Sequence, residues 1–207
     1  KMKDETKHYD GTPLKSGGFT VGGMGLPKGH TLTLDSRGET VFGKAANLYV
    51  DGSLRIHDAD RRDVTHNFVY TVENGTLTVD PRPITIASDS ASKVDDRTPL
   101  SKDSWSVRSG SLVQSHELSV TLAGTSITEV GTAPNAIHRE ETRIYDRKTG
   151  NDVAKYYAIT YSEGRLEITA RPITVKTESA EWMYDAQTHR GDTAFSLTAG
   201  ELLPGHI

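Results

Sequence analysis

The side chains best suited to chemistry recur at matched places along the 207-residue chain. His30, His116 and His206 each close a Leu-x-x-Gly/Ser-His element, at Leu26 to His30, Leu112 to His116 and Leu202 to His206. A metal centre needs several donors converging on one point. Each element offers a single histidine beside a strand start, so the reading is a structural turn residue. Acidic clusters at Asp58, Asp60 and Asp63, and at Asp146, Asn151 and Asp152, have the oxygen chemistry that Ca²⁺ favours. They lack a glutamate at the bidentate position and are interrupted by Arg61-Arg62 and Arg147-Lys148, which makes them solvated turns. No metal site is assigned.

Nucleophilic, acid–base and phosphate chemistry find no local motif. Serine and threonine are plentiful without a Gly-x-Ser-x-Gly elbow. Asp95 and Asp96 are adjacent, which in a strand points them to opposite faces. No glycine loop leads into a helix. One covalent option stands out because the chain has no cysteine. Lys7 and Lys93 are equivalent positions, as are Asn47 and Asn135, and they are the candidates for Lys–Asn isopeptide cross-links. The competing reading gives exposed lysines and turn-capping asparagines. Tyr156, Tyr157, Trp105, Trp182 and Tyr184 offer either a sugar- or protein-binding surface or filling for small cores.

The elements that must position these residues are set by an internal repeat. Gly75 to Ile86, GTLTVDPRPITI, returns as GRLEITARPITV from Gly164 to Val175, 89 residues later, with six of twelve positions identical. Leu77 and Val79, or Leu166 and Ile168, alternate along a strand that Arg-Pro stops and Ile-Thr-Ile or Ile-Thr-Val restarts. Each copy is therefore a joint between one β-unit and the next. HYDGTPL at His8 corresponds to VDDRTPL at Val94 and to MYDAQTH at Met183. Thr31 to Leu34 and His116 to Leu122 alternate as strands, and Asn74-Gly75 is a hairpin signal. No amphipathic stretch is sustained over three helical turns; at most a short helical turn fits near Leu112 to Glu117.

The expected fold is all-β: tandem small β-sandwich repeats of immunoglobulin-like type, with a β-grasp-like sheet carrying one short helix as the alternative. The units run from Lys1 to Pro81, from Arg82 to Ala170, and from Arg171 to Ile207 as an incomplete third. The Pro-Arg-Pro junction favours a short, stiff link. A net charge of -4 gives no basic face for nucleic acid. No apolar run reaches the roughly 20 residues of a membrane span, and the charged start KMKDETK has no signal-peptide core.

With the units aligned, the chain resembles the MBG-type or YDG-type repeats of large bacterial surface adhesins. The residues that carry the resemblance are Arg-Pro-Ile-Thr before each new unit, Lys7 with Tyr9-Asp10-Gly11-Thr12-Pro13, Val130-Gly131 with Asn135, Asp63 to Phe68, and Gly75 to Val79. The second unit departs from it, reading Asp95-Asp96-Arg97 for Tyr-Asp-Gly and Tyr156-Tyr157 for Asn-Tyr. The resemblance implies a secreted, wall-attached stalk or adhesive array on the bacterial cell surface, without catalysis or cofactor. Its partners would be neighbouring repeats. The rival expectation is a module that binds host glycan or matrix protein through loops such as Gly17 to Gly29.

Overall fold

In the computed structural model, which describes residues 1–190 and 194–205, the chain is nearly all β, with 47% of residues in strands. The first repeat contributes β1 (Glu5–His8), β2 (Thr31–Thr33), β3 (Ser36–Arg37), β4 (Gly43–Tyr49), β5 (Arg55–His57) and β6 (Gly75–Asp80). The second contributes β7 (Arg82–Ser88), β8 (Ala91–Val94), β9 (Leu100–Ser101), β10 (Trp105–Ser109), β11 (His116–Leu122), β12 (Ser126–Ile127), β13 (Gly131–Asn135), β14 (Ile137–Asp146), β15 (Tyr157–Ser162) and β16 (Gly164–Thr169). β17 (Thr174–Thr177) and β18 (Phe195–Ala199) follow.

Packing gathers the chain into two compact units. One comprises Lys1–Ile86, Val107–Val120 and Arg139–Tyr161; the other comprises Ala87–Ser106, Thr121–His138 and Ser162–Ile207. Sequence repeats and packed units thus divide the chain differently.

Within the first unit, the sheet order is β1-β6-β4-β3, with β6 parallel to β1 and antiparallel to β4. The alternation read from the sequence decides which face is buried. Leu77 and Val79 are buried, while Thr76 is exposed and Thr78 half-exposed. Met2, Leu54 and Ile56 join them in the core. In the second unit the same plan recurs as β13-β16-β8, with β16 parallel to β8 and antiparallel to β13. Leu166 and Ile168 replace Leu77 and Val79 as its buried positions. Even the register is kept: Asn47 faces Gly75, and Asn135 faces Gly164. β2 pairs with β5 as β11 pairs with β14.

Two local expectations are corrected. Asn74-Gly75 does not close a hairpin. Residues 68–74 form no strand, and the equivalent β15 and β16 lie in different sheets, so the connection does not join a hairpin pair. The glycines are needed for another reason. A Cβ on Gly75 would lie 2.4 Å from the Lys3 carbonyl oxygen, and one on Gly164 2.4 Å from that of Asp89, closer than non-bonded atoms approach. The short helical turns also lie elsewhere than expected. Residues Thr65–Asn67 and Ala154–Tyr156 form single 3₁₀ turns, whereas Val113 to His116 is a tight turn closed by the His116 amide and the Val113 carbonyl.

Gly75→Ala and Gly164→Ala should each destabilise the chain by about 1–3 kcal/mol or more, because rigid backbone must move to admit the methyl group. Gly22→Ala, where an added Cβ meets nothing within 4 Å, should fall within about 0.5 kcal/mol of wild type. Urea denaturation of the three variants measures the difference, and equal midpoints would contradict it.

Candidate functional site

The best-defined side-chain constellation is a clasp at the end of β1 that recurs at the end of β8. β1 ends at His8, and the chain turns through Asp10, Gly11 and Thr12. Lys7 Nζ donates to Asp10 Oδ1 at 2.7 Å, to the Thr12 carbonyl at 2.8 Å and to Thr12 Oγ1 at 2.7 Å. The Thr12 amide and hydroxyl both donate back to Asp10 Oδ1, at 2.9 and 2.7 Å. In the other unit Lys93 Nζ repeats every bond, to Asp96 Oδ1, the Thr98 carbonyl and Thr98 Oγ1. The backbone is the same as well. Gly11 has φ 84° and Arg97 has φ 66°, the left-handed conformation that such an Asp turn requires. A third version at Asp185 keeps the turn, with the Gln187 amide at 2.9 Å and Ala186 at φ 57°, but has no lysine. There His189 Nε2 approaches Asp185 at 2.9 Å instead.

Both carboxylates are held well below the usual range. The lysine hydrogen bond is the largest cause, followed by the threonine hydroxyl and amide.

Arginine from the joint ties this turn down. Arg82 donates from Nη1 to the Tyr9 carbonyl at 3.3 Å and grips Ser111 through Nε and Nη2, both at 2.6 Å. Arg171 makes the matching bond to the Asp95 carbonyl, at 3.0 Å from Nη2. Arg82, Asp10, Val113, Arg147 and Lys148 border an open groove of about 690 Å³.

The isopeptide candidates are not brought together. Lys7 faces Val79 and Asn47 faces Gly75, so they sit at opposite ends of β6, about 13 Å apart along the strand. Lys93 and Asn135 are separated in the same way, facing Ile168 and Gly164. The lysines are committed to the clasps. The asparagines are buried and tie strand edges: Asn47 Nδ2 donates to the Lys3 carbonyl at 3.0 Å, and Asn135 Nδ2 to those of Asp89 and Lys102, both at 2.9 Å. They are structural ties rather than the caps of exposed turns.

The histidines also serve packing. His116 is buried, and Tyr157 Oη lies 2.7 Å from its Nδ1 while accepting the Val113 amide at 3.0 Å. Burial pushes the imidazole's pKa down, partly opposed by Asp146, whose carboxylate is 3.8 Å from Nε2. Tyr9 stacks on Tyr156 at 4.4 Å between ring centroids and on His116 at 5.9 Å, so Tyr156 and Tyr157 belong to a packed aromatic cluster. His30 occupies the matching place, but Phe68 stands where Tyr157 does and brings no hydroxyl. His30 Nδ1 is left buried without a hydrogen-bond partner. His206 lies outside the described residues.

The acidic clusters are turns. Asp58 Oδ1 accepts the amides of Asp60 and Arg62, Asp63 Oδ1 accepts the amide and hydroxyl of Thr65, and Asp146 Oδ1 accepts the amides of Lys148 and Thr149. Among the described residues no group of three or more His, Asp or Glu side chains is placed to hold a metal. Trp105 is half-buried, whereas Trp182 stacks on His189 at 5.1 Å and stays 49% exposed beside an almost fully exposed Tyr184. The role of Arg82 and Arg171 was not visible in the sequence beyond their repetition, because their shared acceptor is a main-chain carbonyl, that of Tyr9 or Asp95.

No family model, curated protein or solved structure matches the chain.

The clasps fix a pH response. A carboxylate whose folded pKa lies below its unfolded value stabilises the fold above the unfolded value, and that contribution is lost as pH falls through the folded one. Both Asp10 and Asp96 should therefore remain ionised below about pH 4, where a free aspartate is half protonated. Lys7→Met should return Asp10 toward the ordinary range and leave Asp96 unchanged. Side-chain carboxyl shifts followed by NMR report this directly, and a wild-type Asp10 titrating near the free value would contradict it.

Proposed function

We propose that the chain is a structural repeat segment, a stalk, of a secreted bacterial surface adhesin, and that its work is mechanical rather than catalytic. The observation that carries this reading is the parallel pairing of the last strand of each repeat, β6 or β16, with β1 or β8. Glu5 lies beside Leu77 and His8 beside Asp80, and Ala91 lies beside Leu166 and Val94 beside Thr169. Tension entering at the start of β1 and leaving at the end of β6 runs along the strands in opposite directions. The evenly spaced bonds between them are then sheared together instead of being unzipped singly. With no cysteine, the chain has no disulfide to share such a load.

The repeated side chains support the same conclusion. Lys7 and Lys93, Asn47 and Asn135, and Arg82 and Arg171 each donate hydrogen bonds within the fold. Their repetition preserves an architecture rather than a ligand set. Of the two finer folds, small sandwiches are favoured over a β-grasp sheet. The helical pieces among the described residues are two three-residue 3₁₀ turns, and no sheet exceeds four strands.

A second reading, a host glycan- or matrix-protein-binding module, draws on the exposed Trp182, Met183 and Tyr184. A glycan array with a screen of extracellular matrix proteins separates the two. The stalk reading expects no specific, saturable partner. A saturable partner whose binding is abolished by Trp182→Ala would overturn it.

A further inference from the structure

In the second repeat, the strand that follows the Arg-Pro joint is the middle strand of a sheet, in the order β10-β7-β15. It brings Ile84 and Ile86 into the core at 1% and 0% exposure and then continues into Ala87 and Ser88. Gly110, just past β10, lets it approach: a Cβ there would lie 2.3 Å from the Pro83 carbonyl oxygen. Gly200 stands in the same relation to Pro172, at 2.4 Å. The joint strand therefore has a slot with a glycine at its wall.

The first repeat has the walls of that slot without the strand. By the internal alignment, Phe19 to Gly23 corresponds to β10 and Phe68 to Glu73 to β15. Neither segment forms a strand, although Phe19 makes a single bridge with Met2. Together they border a groove of about 510 Å³, whose apolar lining includes Leu26, Leu32, Ile56 and Phe68. Its flanks are more open than in the second repeat. Phe68 is half-buried where Tyr157 is buried, and Tyr70 is exposed where Ile159 is half-buried. Met24 stands at the position of Gly110 and is fully exposed, and Cβ atoms added to its neighbours Gly23 and Gly25 meet nothing within 4 Å. Lys1, the counterpart of Ala87, borders this groove.

We propose that this groove is the acceptor for a β-strand of the joint's own kind, Arg-Pro-Ile-Thr-Ile, entering from the N-terminal side of Lys1 as β7 enters Ala87. Its two isoleucines fill the apolar floor, and its backbone pairs with the segments at Val21 and Tyr70, converting both into strands. Each repeat is thereby completed by the joint ahead of it. This lock rests on the internal repeat and holds for a mechanical or a binding array alike.

The test places Ala-Arg-Pro-Ile-Thr-Ile ahead of Lys1 on the full chain, with a control in which both isoleucines of the added segment are aspartate. Hydrogen exchange reads the amides from Phe68 to Val72. The isoleucine extension should slow them roughly tenfold or more and raise the unfolding midpoint, and the aspartate control should do neither. Equal exchange in the two extended chains would overturn the proposal. So would protection already present in the unextended chain together with a dimeric mass, since a second copy would then be the occupant.

Discussion

Each repeat depends on how closely its last strand can approach its parallel partner, β1 or β8. β6 and β16 begin with a glycine whose Cβ position is taken by a main-chain carbonyl, that of Lys3 or Asp89. That approach sets the parallel ladder to β1 or β8, and from the ladder follow the buried Leu and Val or Ile pair and the placing of Asn47 or Asn135 opposite the glycine. The buried asparagine then ties the same edge with its side-chain amide. Small domains have little core to spare, so ties of this kind carry a large share of their definition.

At the other end of the ladder, the clasp and the joint arginine act on one turn. Lysine, aspartate and threonine hold its shape, and arginine from the following joint holds its position through the carbonyl of Tyr9 or Asp95. The turn is thus the place where the end of β1 or β8 and the beginning of the next joint meet. Exposed ion pairs contribute little singly. Here the lysine makes three hydrogen bonds within one short turn, so its main effect is geometric.

Much of this was legible in the sequence. The alternation in Gly75 to Asp80, the Asp turns at Asp58 and Asp146, and the all-β character follow from period and turn chemistry, which are local. What the sequence misassigned depended on position across strands. Lys7 and Asn47 recur together, which made them candidates for a cross-link beside the reading of exposed lysines and turn caps, and they lie at opposite ends of β6. Asn74-Gly75 has the composition of a hairpin, but its glycine answers a contact with Lys3, 72 residues earlier. The unsatisfied nitrogen of His30 could have been anticipated by aligning Phe68 with Tyr157 and noticing the missing hydroxyl.

The mechanical account can be tested most directly by pulling single molecules from end to end and comparing the force with that needed when handles at Val41 and Asp80 unzip β4 from β6. Sheared parallel strands predict an end-to-end unfolding force several times the unzipping force. An end-to-end force equal to or below the unzipping force would contradict a stalk built on these ladders.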